Sequence, residues 1–324
     1  MKICVVGSTG YIGSTISKYL SKQGHQVIGV SRKFPKNNKE FRSYFSEIIN
    51  GDVKSLTVLN SIISKKPDAI IYTVSLNHKD SEQDLHKSIK INCLPLIRLT
   101  DIIKKNKIKT KFIYFSTMQV YGNYSKIKLI NESTKKDIKN YYALTHSICE
   151  DVLAAMNSNS FFESTSIRLS NGYGNPVLKS CDCWWLVIND FCNSAVKNRK
   201  IVINSDGTPL RDFIHIEDIA NAVNKLIKTN KKLPKIINLA SGKTLSMLDI
   251  ADKVSKLSSR NIHHTDIEIR GIVPLGHDVR KKINKIKKNK KFKISTTLMK
   301  KYKINQTVNL STGIKKMLMD IKVT

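Results

Sequence analysis

The sequence predicts an α/β protein built on a doubly wound parallel sheet, with a smaller C-terminal lobe. Three observations predict it. Short apolar strands alternate with amphipathic helices through the first half of the chain. Those strands are continuous apolar runs, as expected of a sheet covered on both faces. The first of them runs straight into a glycine turn that opens a helix. At 324 residues, 40% hydrophobic and 25% charged, the chain has room for one large domain and a second lobe.

In order, residues 2–6 form the first strand, and residues 11–23 a helix with Ile12, Ile16 and Leu20 on one face and Gly24 as its stop. Residues 26–30 are the next strand, and 69–74 and 111–115 are apolar runs of strand length. Between these last two, residues 84–105 carry Leu85, Ile89, Ile91, Leu94, Ile97 and Ile102 at helical spacing. Residues 142–156 read as a helix with Leu144, Ile148, Val152 and Leu153 inward, and 164–169 and 235–239 as later strands. From about residue 173 the pattern turns irregular, through Pro176, a Cys/Trp cluster and Gly207-Thr208-Pro209.

The turn Gly7-Ser8-Thr9-Gly10-Tyr11-Ile12-Gly13 has the Rossmann form of a dinucleotide phosphate site. Gly7 allows the tight bend, Gly10 lets a pyrophosphate approach the backbone, and Gly13 lets helix and strand pack closely. The helix N-terminus supplies free N–H groups and partial positive charge. Thr9, Tyr11 and Ile12 are expected to contact the same group. The residue closing the second strand discriminates between cofactors, because NAD sites place a carboxylate there against the adenosine ribose. No Asp or Glu occurs before Glu40, and Ser31-Arg32-Lys33 stands at that place. A hydroxyl and two cations suit a 2′-phosphate, so NADP(H) is expected, with NAD as the alternative. Asp52, with Val53, is expected beside the adenine, and Thr73 and Ser75 at the end of the strand under the nicotinamide. The expected partition is a dinucleotide-binding domain over 1–172, also receiving about 211–242, and a substrate-binding lobe over 173–210 and 243–324.

The formal net charge is +31. The excess is nearly all lysine, and its densest run, 281–293, is broken by Ile283, Ile286 and Phe292 without interleaved stacking aromatics. It reads as a solvated surface, with attraction to polyanions at low salt as a side effect, rather than as a nucleic-acid site. The six cysteines, at 4, 93, 149, 181, 183 and 192, form no CxxC pair and read as reduced thiols. His263-His264 lack a third ligand at metal-binding spacing, so no metal is expected. The longest apolar runs are too short to span a bilayer. The N-terminal run enters the glycine turn without the apolar stretch of a signal peptide, so a cytoplasmic location is expected.

The chain resembles the extended short-chain dehydrogenases/reductases, the group of NAD(P)-dependent nucleotide-sugar epimerases, dehydratases and ketoreductases. The resemblance runs through nearly the whole length: GSTGYIG at 7–13, NGDV at 50–53, FSTMQVYG at 115–122, YALTH at 142–146, RLSNGYG at 168–174, RDFIHIEDIA at 211–220 and LSTGIKKML at 310–318. It implies an oxidoreductase or isomerase of carbohydrate biosynthesis. Thr117 would hydrogen-bond the substrate's reacting oxygen, and Tyr142 would exchange a proton with it while hydride moves to or from the nicotinamide. In the family a lysine four residues after the tyrosine lowers its pKa and grips the nicotinamide ribose. Here that position is His146, a departure from the pattern. An imidazole can still donate to the ribose but is mostly neutral at pH 7. Three readings stay open: His146 substitutes with weaker electrostatic help, a nearby lysine such as Lys139 supplies the charge, or catalysis is lost. Tyr141 cannot replace Tyr142, since Thr145 stands four residues on.

Asn92 matches the family's asparagine near the active site. The family's dehydratases follow the threonine with an Asp-Glu pair; Met118 and Gln119 stand there instead, which argues against dehydration and leaves C4 epimerisation or reduction of a 4-keto sugar. Asn171 and Arg211 match residues that hold a nucleotide sugar's diphosphate, although Arg211 also reads as an ion-pair partner of Asp212 or Asp218. A further family arginine is missing at Leu275-Gly276-His277-Asp278, where Arg270 or Arg280 would have to compensate. Trp184 and Trp185 read either as lobe core or as a stacking wall, and His215 as a packed structural residue. The resemblance also implies a homodimer paired through residues 84–105 and 142–156. The competing reading is a non-catalytic NADP-binding protein of the same fold that senses redox state or binds RNA.

Overall fold

The computed structural model describes residues 1–123, 127–269 and 292–321. Its centre is a seven-stranded, wholly parallel sheet. The strands β1 (Lys2–Val6), β2 (Gln26–Ser31), β3 (Glu47–Asn50), β4 (Ala69–Tyr72) and β5 (Thr110–Thr117) are joined by Phe162–Leu169 and Ile236–Leu239. The spatial order is β3-β2-β1-β4-β5, then Phe162–Leu169, then Ile236–Leu239 at the far edge. The chain reverses its direction of winding between β1 and β4, whose registers pair Val6 with Tyr72. Ligand crevices of open α/β sheets form outside the carboxyl ends of strands at such a switch point.

Side chains of β1 alternate between two fully buried layers. Ile3 and Val5 pack with Ile16, Leu20, Ile71, Ile113, Val223 and Leu226 on one face. Cys4 and Val6 pack with Ile28, Leu59, Ile70, Leu96, Phe112 and Leu153 on the other. Helices thus cover both faces, and that explains the continuous apolar strands.

A second core gathers Tyr173, Ile188, Phe191, Ile201, Phe213, Leu248, Val254 and Ile314. Two short sheets border it. One joins Thr244–Ser246, Leu210–His215 and Asn171–Tyr173, and the other joins Asp266–Ile269 to Lys200–Ile203. Met299, Tyr302 and Ile304 pack into the core of the large sheet, whereas Leu248, Val254 and Ile314 belong to the second core.

Two local departures from the sequence reading have physical causes. Residues 84–105 are not one α-helix: Leu85–Ser88 passes through a π-helical turn, Ile89–Cys93, into Leu94–Lys105. The widening falls just before Pro95, which has no N–H to donate to the preceding turn. Strand β3 carries only Ile48 and Ile49 as apolar residues at a half-exposed sheet edge, so its pattern is too short to read. Among the described residues, no helix is long and apolar enough to cross a membrane.

Candidate functional site

The turn after β1 is held by the sheet. Gly7 N–H donates to Val30 O (2.9 Å), Ser8 N–H to the same oxygen (3.1 Å), and Gly10 N–H to Gly7 O (2.9 Å). Gly7 has φ +90°, and a Cβ there would lie 2.5 Å from Thr73 Oγ1. A Cβ at Gly13 would fall onto the Gly7 carbonyl. Thr73 Oγ1 donates to Val6 O (2.9 Å), so this side chain braces the turn. A Cβ at Gly10 meets only Gly7 O, at 3.2 Å, which leaves the approach to the helix open. Helix Tyr11–Lys22 begins with no side-chain cap and no acid in its first turn. Its first N–H groups therefore await an acceptor.

At the end of β2, Thr9 Oγ1 and Ser31 Oγ lie 2.5 Å apart, with Arg32 and Lys33 exposed beside them. Asp52 accepts from Lys54 N–H (2.9 Å) and pairs with its ammonium (3.3 Å), and Val53 is buried. Tyr11 is tied elsewhere. Its hydroxyl donates to Gly174 O (2.7 Å) and accepts from Asn189 Nδ2 (3.2 Å), which ties the glycine turn to residues 174 and 189.

From this turn a single cleft of about 1290 Å³ extends across the carboxyl ends of the strands. Gly10 to Gly13, Thr73, Ser75, Thr117, Met118, Gln119, Lys139, Tyr142, His146, Asn171, Trp185 and Arg211 all line it. Thr117, at the end of β5, is buried, and its hydroxyl accepts from Gln119 N–H (3.2 Å). Its O–H remains free to donate into the cleft.

Helix Tyr141–Met156 starts on Asn140, whose side-chain oxygen accepts from Ala143 N–H (2.7 Å) and whose amide donates to Gln119 Oε1 (3.1 Å). Tyr142 N–H donates to Glu82 (3.0 Å). The helix start is thus fastened to the Thr117 turn. Farther along, Glu150 accepts from Ser116 (2.6 Å) and in bidentate fashion from Arg168 (2.9 and 2.7 Å). Burial alone would push the Glu150 carboxyl up, but the Arg168 guanidinium holds it below its usual range. This buried pair sets the helix against the sheet beneath Tyr142. Asn140 and Gln119 were not singled out in these roles by sequence, although an Asn directly before an apolar-periodic run is a cap signal.

His146 is 2% exposed. Its Nδ1 lies 2.7 Å from Tyr114 Oη and its Nε2 lies 3.3 Å from Ser75 Oγ. Its ring stands edge-on to Tyr142 at 4.5 Å between centroids. Burial pushes the imidazole down to about 4, against the upward pull of the Glu150 carboxylate. Burial also pushes the Tyr142 phenol up to about 12. At neutral pH the imidazole is uncharged and the phenol keeps its proton. Lys139 lines the cleft, but its ammonium pairs with Asp137 at 2.7 Å. His78, unremarked in the sequence, also lines the cleft, its ring edge-on to that of Tyr142 at 6.0 Å.

Asn92 does not line the cleft. Its side chain is 1% exposed, accepts from Leu76 N–H (2.8 Å) and donates to Thr145 (3.0 Å). Its side chain ties the loop after β4 to the Tyr142 helix. Asn171 donates one amide N–H to Asp212 O (2.9 Å) and has another for a ligand. Arg211 is exposed and donates to Leu210 O (2.9 Å). The ion pairs weighed for it do not form. Asp212 is taken by Ser241 and Lys243, and Asp218 by Thr307 and Val308. The two tryptophans divide: Trp184 packs between two cores, while Trp185 is 53% exposed in the cleft. His215 is buried, accepts from Glu217 N–H and stands edge-on to Tyr173. All six cysteines are free and buried. Among the described residues no His/Cys/Asp/Glu group could hold a metal. Arg270, residues 275–278, Arg280 and residues 281–291 of the lysine run lie outside the described residues.

A family model described as the NAD dependent epimerase/dehydratase family matches residues 3–240. A relative from Methanocaldococcus jannaschii, described as a putative UDP-glucose 4-epimerase, is 26% identical over 251 residues, covering 77% of this chain and 80% of that one. A dTDP-D-glucose 4,6-dehydratase from Dictyostelium discoideum is 25% identical and covers 79% of this chain but 62% of its own length. Among solved structures, the UDP-glucose 4-epimerase of Thermus thermophilus in complex with NAD superposes with a TM-score of 0.80 at 17% identity, covering 98% of both chains. The UDP-glucose 4-epimerase with UDP-glucose from Thermotoga maritima gives 0.79 at 19%, again over 98% of both. At these identities the structural likeness speaks for the fold.

Proposed function

The chain belongs to the NAD dependent epimerase/dehydratase family, and on that premise we propose that it acts on a nucleotide-linked sugar by reversible hydride transfer, as a 4-ketoreductase or C4 epimerase. The observation that carries this reading is the single cleft. It runs from the phosphate turn past Thr117 and Tyr142 to Asn171 and Arg211, and so has room for a dinucleotide and a nucleotide sugar end to end.

The residues fit a nicotinamide dinucleotide. The turn keeps open the approach that a Cβ at Gly10 would narrow, and the uncapped helix start favours phosphate. When bound, the nicotinamide supplies the hydride acceptor or donor. Ser31, Arg32 and Lys33 would receive the adenosine ribose; their hydroxyl and two cations support NADP(H) over NAD within a family described by NAD. Asp52 and Val53 would border the adenine, with Thr73, Ser75 and His146 around the nicotinamide ribose. We assign these contacts to the unit formed by 1–172 and about 211–242, and the sugar to the remaining lobe.

In this reading Thr117 and Tyr142 share the sugar's reacting oxygen. Thr117 donates a hydrogen bond to it, and Tyr142 passes it a proton or takes one away. Burial keeps the proton on the Tyr142 phenol at neutral pH, which is the state in which it would give that proton to a 4-keto oxygen. Met118 and Gln119 offer no carboxylate for eliminating water. Asn171 and the Arg211 guanidinium face the diphosphate. Pairing of two copies through Leu94–Lys105 and Tyr141–Met156, where Leu94 and Tyr141 are exposed, would make a homodimer.

The test is turnover of a panel of nucleotide sugars and their 4-keto forms with NADPH and NADH, followed by cofactor absorbance and product stereochemistry. Oxidation of NADPH by a 4-keto nucleotide sugar supports the reductase. Interconversion of C4 epimers without net cofactor change supports the epimerase. Tight RNA binding with no turnover on any of them overturns both.

A further inference from the structure

The protonation of His146 is settled by three side chains around it. Ser75 Oγ has one proton and donates it to the Leu76 carbonyl at 2.7 Å, an oxygen that can only accept. In its 3.3 Å contact with His146 Nε2 the imidazole is therefore the donor. A neutral ring with its proton on Nε2 has a bare lone pair on Nδ1, 2.7 Å from Tyr114 Oη. Tyr114 must donate to it. The Cys149 thiol is turned to Asn92 O at 3.4 Å, and sulfur is a far weaker acceptor for the phenol than an imidazole nitrogen. Tyr114 is 1% exposed on β5, with its ring held between those of Tyr72 and His146 at 6.3 and 5.7 Å.

We propose that Tyr114 is a positioning residue that fixes His146 as the Nε2–H tautomer and keeps that N–H turned to the cleft. The proposal rests on reading Tyr142 and His146 as the working pair of the site. A histidine cannot bring lysine's charge here, but it can bring a donor toward a ribose hydroxyl. It does so only in this tautomer, because the other presents a lone pair to the cleft. Two contacts select this tautomer: Ser75 Oγ offers Nε2 only a lone pair, and Tyr114 offers Nδ1 its proton at the shorter distance of 2.7 Å, the alternative for that proton being a thiol.

The test uses the full-length protein labelled with nitrogen-15 and without ligand, at pH 7, reading the two ring nitrogens of His146 by proton–nitrogen correlation. A neutral Nε2–H ring is expected in the native protein. Tyr114→Phe leaves only the long 3.3 Å Ser75 contact to hold the ring, so it is expected to yield a mixture of tautomers and to weaken NADP⁺ binding about fivefold, the worth of one neutral hydrogen bond. An Nδ1–H ring or an imidazolium in the native protein overturns the proposal, and this measurement stands even if the variant does not fold. A Tyr114→Phe protein with the tautomer unchanged overturns it equally, since a purely structural role for the tyrosine predicts that result. Neither reading depends on turnover, so an inactive enzyme with the expected tautomer would sink the proposed reaction and leave the role of Tyr114 in place.

Discussion

The turn at 7–13 and the helix Tyr141–Met156 face one cleft, yet they work by different means. The turn acts through backbone: its glycines leave space and its helix start leaves N–H groups unspent. The helix acts through side chains, Tyr142 and His146, whose protonation depends on what is packed behind them. A backbone site tolerates almost any neighbour but no Cβ. A side-chain site depends on its surroundings, as His146 does on Tyr114 and Ser75.

The contrast breaks most visibly at Tyr142. Tyr142→Phe removes the hydroxyl and keeps the ring, so turnover is expected to fall on the order of 10²–10⁴-fold with NADP⁺ affinity unchanged. Steady-state kinetics beside a binding titration measures both, and a fully active variant refutes the assignment.

Next comes pH. His146 titrates at its ordinary 6.5 when unfolded and at about 4 when folded, so the unfolded chain binds the extra proton between those values. The stability that the neutral buried ring contributes is complete above pH 6.5 and is lost as pH falls toward 4. The loss amounts to roughly 3 kcal/mol. Urea denaturation across that window should show the decline, and His146→Gln should shallow it. For the same reason, activity should show no inflection from this ring at pH 6 to 7.

The turn gives a paired test. Gly13→Ala drives a Cβ onto the Gly7 carbonyl and to 2.9 Å from Thr73 Oγ1. It should cost about 1–3 kcal/mol of stability, along with cofactor binding. Gly10→Ala should leave the melting temperature nearly unchanged and weaken binding alone. If both variants melt alike, the division between packing glycine and approach glycine is wrong.

The smallest effect is expected at the end of β2. Arg32→Ala with Lys33→Ala should lower the ratio of NADP⁺ to NAD⁺ affinity about tenfold, as loss of charge-assisted bonds implies. An unchanged ratio would mean that the 2′-phosphate is not read there.

Much of the fold was legible because it is written in periodicity. The apolar runs, the glycine turn and the order of strands and helices needed no knowledge of partners. What stayed illegible depends on contacts distant in sequence. The Asn92 amide looked like a site residue, but its bonds to Leu76 and Thr145 exist only once the π-helical turn brings it under the Tyr142 helix. The Glu150–Arg168 pair, 18 residues apart, left no local pattern. The state of His146 was open in the sequence because burial and Tyr114, invisible there, decide it. Trp184 and Trp185 are chemically identical neighbours, and only the packing separates core from cleft wall.

That separation has a practical consequence. The chain has two tryptophans, one half-buried between cores and one standing at 53% exposure in the cleft, its indole N–H on Asp182 O at 3.1 Å. The protein therefore carries its own optical gauge of occupancy. Quenching or a blue shift of the Trp185 emission would report a ligand entering the cleft, with Trp184 as the internal reference in the same spectrum.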